Sequence, residues 1–127
     1  MRVYLSGPVS GIADFKARFS RAAALIASIH PSIEVLNPVD FEGDSAWTWG
    51  EWMVLDLTML QKKATHIVFL PGWKGSPGAR VEREFASGLG LPMIELVAAD
   101  LAARHPMSRQ SLVHLMMMAE FGDKVAT

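Results

Sequence analysis

The chain of 127 residues contains no cysteine, which excludes a disulfide framework and a zinc site with cysteine ligands. Long apolar runs are also missing. The first apolar segment, residues 3–5, ends at Ser6-Gly7-Pro8 and is too short for a signal peptide or a membrane span. The formal net charge is only −1, so the chain lacks the basic character of proteins that bind duplex DNA. We therefore expect a cytoplasmic protein whose partners include neither a membrane nor a nucleic-acid duplex.

Half of the residues are apolar, which is enough for one core at this length, so we expect a single domain over residues 1–127. Four short apolar segments predict strands, at residues 3–5, 33–36, 67–70 and 92–96. Three helices are predicted between them. Apolar residues recur at helical spacing over residues 12–29 and 47–63, and Ser76-Pro77 is typical of a helix start.

The alternation of strands and helices predicts an α/β fold with a parallel sheet of four to five strands flanked by helices. We expect three layers, Rossmann-like or flavodoxin-like, because the strands are apolar on both faces. Ligands of such sheets bind at the carboxyl ends of the strands. The loops at that edge begin at Ser6, Asn37 and Pro71, and they are rich in polar residues and glycine.

The core is expected within residues 1–96, and residues 97–127 are expected to form a helical tail. Within the tail, Ser108 is a candidate N-cap of a helix that runs to Phe121 and ends at Gly122. Residues 116–118 are three successive methionines, which cannot all face one core. Either this helix contacts another subunit, or the methionines fill an irregular core, and both interpretations stay open.

The loop Ser6-Gly7-Pro8-Val9-Ser10-Gly11 follows the first predicted strand and precedes the first predicted helix. Its small residues would let backbone N–H groups approach an anion at the start of that helix. The loop matches neither a Walker sequence nor a dinucleotide-binding fingerprint. Taken alone, the loop is better explained as a tight turn between a strand and a helix.

A second glycine-rich segment, residues 72–82, enters the third predicted helix at the end of a strand. Gly78 and Ala79 remove side-chain bulk from the first turn, so a ligand could approach the backbone. Glu82 lies one turn further along and would face the same crevice. The simpler interpretation is a carboxylate placed near the helix N-terminus by the helix dipole.

A third cluster lies in the second predicted helix, where Trp52 and Asp56 are four residues apart and share one face. An aromatic ring beside a carboxylate could stack on a base and bind its polar edge or a sugar hydroxyl. Core packing is the favoured interpretation for Trp52, whereas Trp47 and Trp49 are open between the two. The four histidines show no metal-binding spacing, and no Ser–His–Asp set can be argued.

Several of these segments together resemble the nucleoside 2-deoxyribosyltransferase-like family, and most of all a branch that is often encoded by phages. The resemblance covers about residues 1–96, and its most specific part is the segment 72–86. The matching segments are Val3-Tyr4-Leu5-Ser6-Gly7-Pro8, Asn37-Pro38, Asp56-Leu57, Leu70-Pro71-Gly72-Trp73, and Gly78-Ala79 with Glu82 and Ala86.

This resemblance implies cleavage or exchange of the N-glycosidic bond of a (deoxy)nucleoside or its 5′-monophosphate. It implies Glu82 as the nucleophile, Asp56 as a residue that binds sugar or assists proton transfer, and Tyr4 as the residue that orients Glu82. It implies no metal and no other cofactor, and a homo-oligomer, dimeric or larger. The residues expected to bind the substrate are Ser6, Gly7, Pro8, Gly11, Asn37, Trp49, Trp73, Ser76, Gly78 and Ala79.

The chain departs from the family pattern in two respects. The spacing from Asp56 to the third strand is about two residues longer than usual, and the other departure concerns protonation of the leaving base. No carboxylate stands just before the third strand, where the sequence is Lys63-Ala64-Thr65-His66, or near Gly72-Trp73. The general acid would then be supplied by Asp40, Asp44, Glu51 or a neighbouring subunit. A nucleotide-binding module or sensor without turnover is the alternative function, and a structural phage component is a third.

Overall fold

The computed structural model describes residues 1–98 and 117–118, and it contains a parallel sheet of four strands in the order β2-β1-β3-β4. Three helices connect the strands, so the predicted three-layer α/β fold is confirmed. The elements are β1 (Arg2–Ser6), α1 (Phe15–Ala27), β2 (Glu34–Leu36), α2 (Trp49–Lys63), β3 (His66–Phe69), α3 (Pro77–Leu89) and β4 (Met93–Glu95), with short 3-10 turns at Pro38–Asp40 and Trp73–Gly75.

The central strand β1 carries Tyr4 and Ser6, whose polar side chains lie near the middle of the sheet. It pairs in parallel with β2 and with β3, and Ser6 at its carboxyl end lies opposite Phe69. The chain moves to one side of β1 to form β2 and to the other side to form β3. The carboxyl ends of β1 and β3 therefore form the switch point of the sheet, which is where ligands of such folds bind.

Each face of the sheet carries its own apolar cluster, and the two-residue period of β1 decides which side chain enters which cluster. Val3 and Leu5 point to the face covered by α1, where they pack with Phe19 and Ile26. Tyr4 points to the opposite face, which α2 and α3 cover. Ser6 follows Tyr4 by two residues and therefore points to the α2 and α3 face as well.

Capping side chains fix where α2 and α3 begin. Thr48 accepts a hydrogen bond from the backbone N–H of Glu51, and the Glu51 side chain accepts one from the Thr48 N–H, so α2 starts at Trp49 and not at residue 47 as predicted. Ser76 caps α3 and Pro77 occupies its first turn, as predicted. The buried side of α2 is Met53 and Leu60, whereas Trp52, predicted as core, is only partly buried.

Most of the predicted helical tail lies outside the described residues, and so does Met116. Met117 and Met118 are helical. Met117 is exposed, while Met118 packs against the cluster under α1. Neighbouring methionines thus point in different directions, as expected for successive positions on a helix. Over residues 1–98 and 117–118, no helix has the length and apolar character needed to cross a membrane.

Candidate active site

A cavity of about 760 Å³ opens at the carboxyl ends of β1 and β3. Its walls come from the loop after β1, the start of α1, the segment 38–41, the first half of α2 and the first turns of α3. The volume lies within the range of sites that hold small molecules of nucleotide size. Among the lining residues that the structure describes, the charged ones are Asp56, Glu82 and Lys16.

Glu82 lies on the side of α3 that faces the sheet, and its side chain is almost completely buried. Its two carboxyl oxygens accept hydrogen bonds from two residues of the central strand. The Tyr4 hydroxyl donates to Oε2, and the Ser6 hydroxyl donates to Oε1 over 2.8 Å. Tyr4 and Ser6 reach the same carboxyl group because alternate residues of a strand share one face.

Burial raises the pKa of the Glu82 carboxyl from 4.5 to about 7, because a charge is poorly solvated there. The hydrogen bonds from Tyr4 and Ser6 act in the opposite direction and favour the ionised form. The nearby negative charge of Asp56 raises the pKa slightly further. Glu82 therefore changes protonation state near neutral pH, a property common among residues that attack or exchange protons.

The Tyr4 hydroxyl remains a proton donor under all ordinary conditions. Its burial and the negative charges of Glu82 and Asp56 raise its pKa well above 10. Tyr4 is fully buried and does not line the cavity. Its contact with the site is therefore made through Glu82.

Asp56 projects from α2 into the same cavity and is only partly buried. Burial raises the pKa of its carboxyl from 3.8 to about 6. No hydroxyl donor comparable to Tyr4 or Ser6 is recorded for Asp56 among the described residues. The cavity thus holds two carboxyl groups with different surroundings, one anchored by donors and one facing open space, which suits them to different chemical roles.

Aromatic side chains form one wall of the cavity. Trp49 is 55% exposed, and Trp52 packs edge-on against Trp47 with ring centroids 5.1 Å apart. A Cβ on Gly43 would lie 2.5 Å from the Trp47 ring, so a larger residue there would require the two rings to shift. An exposed indole beside a carboxylate is suited to stacking on a flat heterocycle. The lining aromatic residues are Phe15, Phe19, Phe41, Trp49 and Trp52.

Gly78, in the first turn of α3, lies against this wall. A Cβ at this position would lie 3.4 Å from the Met53 sulfur and 3.8 Å from the Trp49 indole nitrogen. The sequence predicted five residues that do line the cavity as substrate-binding residues: Gly7, Trp49, Ser76, Gly78 and Ala79. Their position at the cavity surface leaves their role in binding a prediction.

Several of the predicted substrate-binding residues lie elsewhere. Trp73 is buried against Phe69, with ring centroids 4.6 Å apart, and it borders a separate groove on the outer side of α3. The Asn37 side chain accepts a hydrogen bond from the Val39 N–H and caps the turn at Pro38–Asp40. The sequence of a loop does not show whether the side chain of a tryptophan or an asparagine already contacts neighbouring residues and is therefore unavailable to a ligand.

Pro8, Gly11 and Ser6 are also absent from the cavity lining, although Gly7 and Ser10 of the same loop contribute to it. Pro8 lies beside Gly72, and Gly11 adopts a positive φ of 77° that favours glycine. Ser6 is buried behind Glu82. The loop therefore contacts the cavity through fewer of its residues than the sequence suggested.

The three carboxylates proposed as general acids outside the family pattern do not line the cavity. Asp40, Asp44 and Glu51 are all exposed. Asp44 accepts a hydrogen bond from the Ala46 N–H, and Glu51 belongs to the capping box of α2. Among the described residues, Asp56 and Glu82 are therefore the carboxyl groups available inside the cavity.

The sequence reasoning missed the contribution of α1. The helical spacing over residues 12–29 gave Phe15, Lys16 and Phe19 no part in the site, but all three line the cavity. The position of these residues in the first turns after the β1 loop was a usable signal, because this turn starts at the ligand-binding edge of the sheet. Within the described residues, no three His, Asp or Glu side chains are grouped as a metal site.

Residues 1–95 match the family model described as Domain of unknown function (DUF4406). The match spans all four strands and all three of the main helices, and hence every element that lines the cavity. No curated protein and no solved structure matches the chain. The geometry of the cavity is therefore the basis on which a function can be assigned.

Proposed function

The chain belongs to the DUF4406 family, and we propose that it cleaves or exchanges the N-glycosidic bond of a (deoxy)nucleoside or nucleoside 5′-monophosphate. One observation carries the proposal. Glu82 is buried at the end of an aromatic cavity, each of its oxygens accepts a hydrogen bond from a hydroxyl, and a second carboxyl, Asp56, lines the same space. Two carboxyl groups with different surroundings are what glycosidic bond cleavage requires. The resemblance to nucleoside 2-deoxyribosyltransferases supports the same chemistry.

In the first step, an ionised oxygen of Glu82 attacks C1′ of the sugar and forms an ester bond. The C1′–N bond breaks, its electron pair goes to the nitrogen of the base, and Asp56 donates a proton to that base. Asp56 fits this role by its position in the cavity, and its pKa of about 6 keeps about a tenth of it protonated at pH 7. Because Glu82 has the higher pKa, the reactive form with Glu82 ionised and Asp56 protonated is a minor one. A covalent intermediate divides one difficult displacement into two easier ones.

In the second step, water or a second base attacks C1′ and the bond to the Glu82 oxygen breaks. Asp56, now ionised, accepts the proton of the attacking group, and Glu82 regains its carboxylate. With water, the overall reaction converts a nucleoside into a free sugar and a free base. With a second base, the products are a new nucleoside and the first base, and the sugar keeps its configuration in both cases.

The walls of the cavity suit the two parts of such a substrate. Trp49 and Trp52 offer aromatic surface for the base, and Gly7 and Gly78 line the same cavity as Glu82, where the sugar would lie. Lys16 lines the α1 side of the cavity, where it would form an ion pair with a 5′-phosphate or donate a hydrogen bond to a 5′-hydroxyl. We place the reaction in the cytoplasm, since a chain without cysteine is compatible with a reducing compartment.

The experiment is incubation of the protein with a panel of deoxynucleosides, ribonucleosides and their 5′-monophosphates, followed by chromatography for free base. A second base added to each reaction separates exchange from hydrolysis. Glu84→Gln is the matched control for Glu82→Gln, because Glu84 is exposed on the same helix. Base release that persists in Glu82→Gln, or that Glu84→Gln abolishes, would contradict the proposed nucleophile.

A nucleotide-binding module without turnover is the second candidate. The observation that favours it is the position of Asp40, Asp44 and Glu51 outside the cavity. Within residues 1–98, this leaves Asp56 as the one carboxyl besides Glu82 in the cavity that could protonate the base. Titration calorimetry with the same panel distinguishes the two candidates. Saturable heat from a nucleotide, together with no base release after long incubation, would favour the binding module.

A further inference from the structure

We infer that Ser6 is a positioning residue that acts on the substrate only through Glu82, and not one of the residues that contact the substrate. This inference rests on the proposed function and concerns the same site. It also reverses what the sequence suggested for Ser6, which lies in a loop expected to bind the substrate.

The first observation is the place of Ser6 in the sheet. Its side chain is 1% exposed and does not line the cavity, whereas the next residue, Gly7, does. A Cβ on Gly7 would lie 2.9 Å from the Leu70 Cβ, so the chain passes close to β3 at this point. A substrate in the cavity therefore meets the backbone of Gly7 before it could reach the Ser6 hydroxyl.

The second observation is the single hydrogen bond recorded for the Ser6 hydroxyl. It donates to Glu82 Oε1 over 2.8 Å, between two buried side chains. The Ser6 carbonyl accepts a backbone hydrogen bond from Leu70, so the main chain is held independently of the side chain. Removing the hydroxyl should therefore change the ionisation and orientation of the Glu82 carboxyl and leave the strand in place.

Each of the two hydroxyl donors binds a different oxygen of the Glu82 carboxyl group. Tyr4 holds Oε2 and Ser6 holds Oε1, so rotation of the carboxyl about its last bond would break both hydrogen bonds. Both donors favour the charged form over the protonated form, because a hydrogen bond to a carboxylate is stronger than one to a neutral acid. Ser6 thus raises the fraction of Glu82 that is ionised and fixes its orientation toward the sugar.

Other charges around Glu82 act on it as well. Asp56 faces it from α2 and Tyr4 from β1, while Lys16 lines the cavity from α1. None of these groups is bonded to the Ser6 hydroxyl in the described structure. A substitution at residue 6 therefore leaves their charges unchanged.

The test is the series wild type, Ser6→Cys and Ser6→Ala, with Ser28→Ala as the matched control. Cysteine keeps the shape with a weaker donor, and alanine has none. Ser28 is exposed at the end of α1 and donates only to the Leu25 carbonyl, away from the cavity. The Glu82 carboxyl is titrated directly by NMR with carbon-13-labelled glutamate, and Glu82→Gln identifies its signal.

We expect the titration midpoint of Glu82 to rise by about one unit in Ser6→Ala, by less in Ser6→Cys, and not at all in Ser28→Ala. Base release should lose about tenfold in kcat on the acid side of the pH profile, while KM stays within about twofold. The melting temperature of Ser6→Ala should stay close to that of the wild type below pH 5 and should fall about 5 °C below it at pH 8, where the ionised Glu82 has lost one donor. Ser28→Ala should follow the wild type at both pH values.

Two results would overturn the inference. An unchanged Glu82 titration in Ser6→Ala would show that the hydroxyl does not act on Glu82. A raised KM with an unchanged kcat would show that Ser6 binds the substrate. A shifted titration in a protein that releases no base from any substrate would refute the proposed function and leave the link between Ser6 and Glu82 standing.

Discussion

Replacing Glu82 with glutamine removes the charge of a buried carboxyl group and nearly preserves its shape. If Glu82 is the nucleophile, the variant cannot form the ester with C1′, and base release should fall by at least about a thousandfold. A loss of this size corresponds to about 4 kcal/mol of transition-state stabilisation. The fold should persist, because the amide can still pair with the Tyr4 and Ser6 hydroxyls through its oxygen and its NH₂ group.

The same variant should change how stability depends on pH. The pKa of Glu82 is raised from 4.5 to about 7 in the folded protein, so the folded state holds this proton more tightly than the unfolded state. The stability contributed by the proton is present below pH 4.5 and is lost as the pH rises through 7. A difference of about 2.5 units amounts to about 3 kcal/mol at pH 8.

Glutamine does not titrate and escapes this cost. Imperfect hydrogen bonding of the amide should cost about 1 kcal/mol at every pH. The wild type should therefore be slightly more stable at pH 4.5, and Glu82→Gln should be more stable by about 2 kcal/mol at pH 8. For a domain of this size, the gain at pH 8 corresponds to a melting temperature higher by about 5–10 °C.

The assay combines base release at each pH with melting curves of the wild type, Glu82→Gln and Glu84→Gln. Glu84→Gln should match the wild type in both measurements, because its side chain is 78% exposed. A helix-dipole role for Glu82 would instead give a stability loss of about 0.3–1 kcal/mol and unchanged turnover. Trapping with a 2-fluoro-substituted nucleoside offers a separate check. A sugar adduct on Glu84, or a melting difference that does not vary with pH, would refute the reasoning.

Three further outcomes are expected from the same structure. Because the carboxyl pair has pKa values of about 6 and 7, kcat/KM should peak between these pH values, and Asp56→Asn should lose the alkaline limb. In a single turnover the variant should release base at the wild-type rate from an N7-methylated purine nucleoside, whose base leaves without a proton, while the second step stays slow because Asp56 no longer accepts a proton. If this first release is also slow, Asp56 binds the sugar. Gly78→Val should raise KM at least tenfold, because its side chain would fill the space near Met53. The control Gly88→Val should leave KM unchanged, because nothing lies within 4 Å of a Cβ there, and equal KM values for the two variants would exclude close approach of the substrate to Gly78. We expect at least a dimer, since half of the residues are apolar and Met117 of the Met-rich tail is 45% exposed. Met117→Lys should lower the sedimentation mass, and a wild-type mass of one chain at micromolar concentration would refute this.

The order of strands and helices was determined by the sequence alone. Apolar segments of three to five residues separated by helical periodicities leave few arrangements other than a parallel sheet with helices on both faces. The start of α3 was also predictable, because Ser76 and Pro77 act locally through the backbone of their own turn. The start of α2 was placed two residues too early, since the capping box of Thr48 and Glu51 was overlooked.

The candidate residues Tyr4, Asp56 and Glu82 were found from the sequence, but their relation to one another was decided by the tertiary structure. Residues 78 positions apart become hydrogen-bonded only when β1 lies beneath α3. The same packing buries Ser6 behind Glu82 and Trp73 against Phe69, although both residues stand in loops that look accessible in the sequence. Local sequence patterns specify helices and strands, because the interactions that form each element lie within a few residues of one another. Burial, and the pKa values that follow from it, depend on which elements meet, and only the folded chain determines that.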